Sequence, residues 1–224
     1  MSDADGLLDR FKTLCTRMEL HGDLEGAFAD VSAMYQSPPR AYHNLDHVEY
    51  CLRQLDPART VADRPDEVEM AIWLHDCVYD PKRSDNESRS AEVAENLLRG
   101  LDAAESVIAR ISQLILDTAH ATEPETADGE LIVDIDLSIL GAEPGVFDAY
   151  ESAIRMEYAH VSDAIFAAAR RGLLDQFLAR PAIYRTRWFA SRNEAQARAN
   201  LARSITCLRR ASANVPPAQR RPES

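Results

Sequence analysis

Glycine is scarce in this chain, with eight residues in 224. Sandwiches and barrels reverse direction every few residues and rely on glycine for backbone angles other residues avoid, so the scarcity disfavours both. It also removes the loops that cradle phosphates with backbone amides: no G-x-G-x-x-G, G-x-x-x-x-G-K or G-x-S-x-G occurs. Any chemistry must come from side chains.

The apolar residues instead recur at helical spacing. Leu7, Leu8, Phe11, Leu14, Cys15 and Met18 predict one helix, with a break near His21-Gly22-Asp23 before Phe28, Val31 and Met34 resume it, and Ser37-Pro38-Pro39 as its stop. Asn44 is placed to cap a helix through Val48, Cys51, Leu52 and Leu55, closed by Pro57. Pro65-Asp66 opens another that carries Val68, Ala71, Ile72, His75 and Val78 on one side and is expected to end at Asp80-Pro81. Further helices are expected from Ser84 or Asp85 to Gly100, from Leu101 to Ala119, from Pro144 to Met156, from Ser162 to Leu178 and from Ser191 to Leu208. Val133-Asp134-Ile135-Asp136-Leu137-Ser138-Ile139 conflicts with this pattern, because strict alternation is a strand signal.

At 46% hydrophobic the chain can bury one substantial core, and it reads as a single domain over 1–211 followed by a flexible tail, 212–224, with paired prolines at Pro216 and Pro217. A formal charge of -12 and the lack of a basic stripe argue against polymeric nucleic acid as partner. A small anion is compatible with that charge, since a metal and a few arginines make a cationic pocket inside an acidic protein. No apolar run approaches the ~18 residues of a membrane span and the N-terminus lacks a secretory pattern, so the expected location is the cytoplasm, with no membrane partner. Cys15, Cys51, Cys77 and Cys207 lack C-x-x-C spacing and read as reduced thiols, mostly core filler.

Trp73-Leu74-His75-Asp76-Cys77-Val78 sets an imidazole and a carboxylate side by side in an apolar segment, where an unpaired charge costs several kcal/mol. A divalent cation would compensate it, since both groups are ordinary ligands. Two ligands hold a metal poorly. Candidates for the remainder are His43 and His47, one helical turn apart, and Asp134 and Asp136, each within a segment expected to pack inward.

His47, then His75-Asp76, then Asp136 resembles the H…HD…D ligand set of the HD superfamily of metal-dependent phosphohydrolases. The nearer resemblance is to a group of small stand-alone bacterial HD-domain proteins. It is carried by Tyr42-His43-Asn44-Leu45-Asp46-His47, Trp73 to Pro81, Asp85-Asn86-Glu87-Ser88-Arg89-Ser90-Ala91, Asp134 to Gly141, and Glu194-Ala195-Gln196-Ala197-Arg198-Ala199-Asn200-Leu201. The resemblance implies an all-α bundle of about eight to ten helices, a helical Asp136 segment, and His47, His75, Asp76 and Asp136 as ligands of one divalent ion, with Mn, Mg, Ni, Co, Fe and Zn not distinguished. Were the segment a strand, Asp134 and Asp136 would share a face and both could be ligands.

The implied activity is hydrolysis of a small phosphorylated metabolite, with a nucleotide as one such substrate, at a metal-activated water. Asp76 would serve at the reacting centre, Glu87 would take a proton from the water, bind a second metal's water or cap its helix, and His120 would protonate a leaving group, bind a second ion or simply sit at a helix C-terminus. Arg89, Lys82 and Arg198 are candidate phosphate contacts. Lys82 and neighbouring Arg83 also read as solvated charges, and Arg198 as an ion pair with Glu194 one turn earlier. Two alternatives share the ligand set: a di-iron oxygenase, and a metal- and nucleotide-binding module without catalysis. Tyr42 and Asn44 are expected to orient or cap around His47, His21 and His160 to be structural or exposed, and Trp188 and Phe189 to be core.

Overall fold

The computed structural model describes residues 4–37 and 40–213. All regular structure among them is helical, so the expected all-α class is observed. The chain divides into two compact units, Met1–Ser138 and Ile139–Ser224.

The first unit holds α1 (Ala4–Arg17), α2 (Leu24–Tyr35), α3 (Leu45–Ala58), α4 (Pro65–Leu74), α5 (Asn86–Gly100), α6 (Glu105–Asp117) and α7 (Ala127–Asp136). Its local signals are read out directly. Gly22 takes a positive φ of 118° at the predicted break, and the Asp23 side chain caps α2 by accepting from the Gly26 amide. Asn44 caps α3 by accepting from the amides of Asp46 and His47, and Pro65 occupies the first turn of α4, where a missing N–H costs nothing. Pro57 does not close α3, which runs on through Ala58.

Helix α4 is the centre of this unit. It packs against α1, α3, α5, α6 and α7, and every residue from Glu67 to Leu74 is buried. Trp73 meets Phe11 and Phe28 edge-on. Glu69, 1% exposed, is tolerated because Arg10, Arg17 and Arg59 converge on its two oxygens. Asp128, in the first turn of α7, accepts from the amides of Asp63 and Arg64 at 2.8 and 3.0 Å and so ties the starts of α4 and α7 together.

One expectation is corrected here and one conflict is resolved. Helix α4 ends at Leu74 rather than at Asp80-Pro81, because side chains from elsewhere take the backbone groups that would have continued it. Tyr35 donates to the Trp73 carbonyl, Ser90 Oγ accepts from the Val78 amide, and Asn86 exchanges hydrogen bonds with the Asp80 amide and carbonyl. The alternating 133–139 segment is helical, as the resemblance implies and against its strand-like alternation: it is the end of α7 followed by a 3-10 turn at Leu137–Gly141. Residues Leu131 to Ile135 are all buried, so the helical period is invisible in a segment apolar on every side.

The second unit holds α8 (Pro144–Glu157), α9 (Asp163–Ala179) and α10 (Arg187–Ala213), with α9 packed on α10. Helix α10 starts earlier than Ser191 and passes Ser212, where the flexible tail was expected to begin. The rest of the expected tail, and the Pro38-Pro39 stop, lie outside the described residues. Phe189 is core, whereas Trp188 is half-buried with the Arg192 guanidinium 3.7 Å from its ring. No helix among the described residues is long and apolar enough to cross a membrane.

Candidate metal centre

Three segments distant in sequence meet at one point in the first unit. His47 projects from the first turn of α3, His75 and Asp76 stand where α4 unwinds, and Asp136 is the last residue of α7. His47 Nε2 lies 3.2 Å from His75 Nε2, 3.3 Å from Asp136 Oδ1 and 3.6 Å from Asp76 Oδ2. His75 Nε2 lies 3.1 Å from Asp76 Oδ2 and 3.7 Å from Asp136 Oδ1. Donors ~2.1 Å from a common ion would be ~3.0 Å apart at the edges of an octahedron and ~3.4 Å apart at those of a tetrahedron. The observed separations are of that size, and His47, His75 and Asp136 form a group able to hold a metal ion.

The electrostatics fit a cation at this point. Burial disfavours charge on His75, yet Asp76 and Asp136 outweigh it and raise its pKa well above the usual imidazole value. Burial likewise pushes the two carboxyls up, but His75 and His43 beside Asp76, and His120, His47 and His75 beside Asp136, hold both below the usual carboxylate range. His75 Nδ1 lies 2.9 Å from the Ile72 carbonyl oxygen. That oxygen can only accept, so Nδ1 carries a hydrogen and the neutral ring turns its Nε2 lone pair toward the cluster. With imidazole and carboxylate donors only, the set suits manganese, iron, cobalt, nickel or zinc.

The surroundings fix these ligands. Asn44 caps α3 as expected, and the Tyr42 ring leans on His47 with centroids 4.6 Å apart. Cys51 Sγ packs 3.7 Å from His47 Nδ1; burial, with Asp136 and Asp76, raises its pKa well above that of an ordinary thiol and keeps it neutral. His43 stacks on Tyr79 at 3.9 Å and borders Asp76 without joining the metal-holding group. Asp134 is fully buried, and on a helix it lies about 200° around from Asp136.

Of the proposed helpers, His120 comes nearest. Its Nε2 is 3.5 Å from Asp136 Oδ2, the carboxylate oxygen turned away from the two imidazoles, and its backbone takes a left-handed φ of 54° just beyond α6. Close packing sets this up, since a Cβ at Gly129 would run into the Asp117 carboxylate and Pro124, so only glycine lets α7 approach the end of α6 this closely. Glu87 is half-buried in the first turn of α5. Lys82 and Arg89 are exposed, and their side chains make no ion pair or hydrogen bond among the described residues, whereas Arg83 is forked onto Asp85. Arg198 lies in the second unit, paired with Glu194 and donating to the carbonyls of Leu178, Arg180 and Pro181, which accounts for its fork structurally. His21 and His160 are exposed.

Sequence reasoning missed Tyr35 and Arg40, which hold the turn bearing His75 and Asp76. The sole cue for Arg40 was its place just before the Tyr42-His43-Asn44 block. Compared with known proteins, the chain matches no family model, no curated protein and no solved structure.

Proposed function

We propose that this protein is a metal-dependent phosphohydrolase of the HD type, acting on small phosphorylated metabolites. The observation that carries the reading is the convergence of His47, His75 and Asp136 as a group able to hold a metal ion, with Asp76 Oδ2 3.1 and 3.6 Å from the two imidazoles, in the order H…HD…D. A bound ion would supply a water whose pKa falls from ~15.7 to ~7 and would polarise the phosphoryl oxygen it faces.

The chain's own residues do the rest. His75, held by the Ile72 carbonyl, presents a fixed lone pair. Asp136 divides its oxygens, Oδ1 toward the imidazoles of His47 and His75 and Oδ2 toward His120. That second contact aligns His120, whose side chain is 23% exposed and so within reach of a substrate, to pass a proton to the leaving oxygen. Lys82 and Arg89, cationic, exposed and without an ion pair among the described residues, would attract the phosphate.

The test is phosphate release from a panel of phosphomonoesters and nucleotides with manganese, cobalt or nickel supplied. Activity is expected in the wild type and lost in His75→Ala and Asp76→Ala variants that keep their helical content. Undiminished turnover by both variants would refute the reading.

A further inference from the structure

Helix α4 stops before the residues its centre needs, and the carbonyls left beyond its end require donors. We propose that Arg40 is the positioning residue of the metal centre, a guanidinium that fixes the segment bearing His47 against the turn bearing His75 and Asp76; this rests on the metal-site reading above. Arg40 Nη1 donates to the carbonyls of Asp76 at 2.6 Å and His43 at 2.9 Å. Nη2 donates to the Cys77 carbonyl at 2.9 Å, and Nε to Ser37 Oγ at 3.3 Å.

Those acceptors belong to the two sides of the site. The Asp76 and Cys77 carbonyls lie on the ligand turn itself. The His43 carbonyl immediately precedes Asn44, whose side chain caps the helix turn that projects His47. One rigid planar group therefore spans both, and the separations of 3.2 Å between the imidazoles and 3.6 Å between His47 and Asp76 depend on it. Flanking rings steady the plane, with Tyr35 at 5.2 Å and Tyr79 at 5.8 Å from its central carbon. Tyr79 also stacks on His43, so the same packing reaches the wall of the site.

Arg40 does not read as a substrate contact. Four of its five N–H groups are committed to protein acceptors, leaving little to offer a phosphate. Lysine is a poor substitute, because a point charge on a flexible stem cannot hold acceptors on two segments at fixed separation.

The experiment is cobalt titration of the full chain, followed by calorimetry and by the visible d–d spectrum, for wild type, Arg40→Lys and Arg40→Ala, with thermal melts in excess chelator. Outer residues that orient metal ligands typically change affinity by about 10–100-fold. Both variants are expected to bind cobalt at least about tenfold more weakly, with an altered d–d spectrum, and millimolar methylguanidinium is expected to restore Arg40→Ala but not Arg40→Lys. A lowered melting temperature with wild-type cobalt affinity and spectrum in Arg40→Lys would show a merely structural residue and overturn the proposal. Should Arg40→Ala fail to fold, Arg40→Lys alone decides. A wild-type chain that takes up no cobalt overturns the metal reading itself, and the positioning role with it.

Discussion

His47 and His75, each 2% exposed, face one another through their Nε2 atoms at 3.2 Å. Two neutral imidazoles so placed, each with a lone pair toward the other, would repel, so a proton or a metal ion must lie between them and the carboxylates of Asp76 and Asp136. Removing His75 leaves the buried Asp76 carboxylate without its main partner, which costs about 3–5 kcal/mol when a buried pair is broken. His75→Ala is expected to lower the metal-free stability by that order in chemical denaturation and to abolish cobalt binding in calorimetry. Retention of both would contradict the assignment.

The same cluster sets a pH dependence. Folded His75 holds its proton to a higher pH than an unfolded histidine, whose pKa is ~6.5. Its contribution is therefore fully present below about pH 6.5 and is lost as the pH rises through the folded value. Asp76 and Asp136 titrate below their unfolded value of ~3.9, so theirs is present above about pH 4 and is lost as the pH falls through the depressed values. In excess chelator, the melting-temperature advantage of wild type over His75→Asn is expected to be largest between about pH 4 and pH 6.5 and to shrink toward alkaline pH. Saturating metal, which replaces the proton, should remove the alkaline decline. An advantage that instead grows from neutral to alkaline pH in chelator would show that His75 is not the group holding the proton.

Much of this was legible in sequence, and the failures share a cause. Asp23, Asn44 and Pro65 act on the next few residues, so their helix starts could be read locally. The early end of α4 could not, because Tyr35, Arg40, Asn86 and Ser90 reach it from other elements. The ligands were visible because His75 and Asp76 are costly in an apolar segment. Choosing Asp136 over Asp134 rested on the resemblance, because burial on all sides of α7 hides the helical period. The division at Ser138 has no composition change to mark it, since residues 137–140 are as apolar as the helix before them.

His120 tests the chemistry separately from the metal. Positioned acids contribute about 10²–10⁴-fold to a rate. His120→Asn, which tolerates the left-handed backbone, is expected to lose about 100-fold in kcat while metal content stays unchanged. His120→Gly should be equally slow yet melt higher than His120→Ala, because glycine relieves the positive φ. Wild-type turnover in His120→Asn would remove the acid role.

Glu69 tests the scaffold under the site. It receives Arg10, Arg17 and Arg59 at the middle of α4, six residues before His75, and its side chain is 2% exposed. Glu69→Ala is expected to destabilise the protein by about 3 kcal/mol, since the partners lose their buried counter-charge. At ~2–4 °C per kcal/mol for a chain of this size, the melting temperature should fall by about 6–12 °C. A drop of less than about 2 °C would mean the exposed Asp56 and the half-buried Asp66 suffice to hold the three guanidiniums.

The most direct measurement is anomalous diffraction from crystals of the protein loaded with cobalt or manganese, recorded on both sides of the metal absorption edge. The account predicts one peak about 2.0–2.3 Å from His47 Nε2, His75 Nε2, Asp76 Oδ2 and Asp136 Oδ1 together. A loaded crystal with no peak among those four atoms, or with its peak elsewhere, would contradict it.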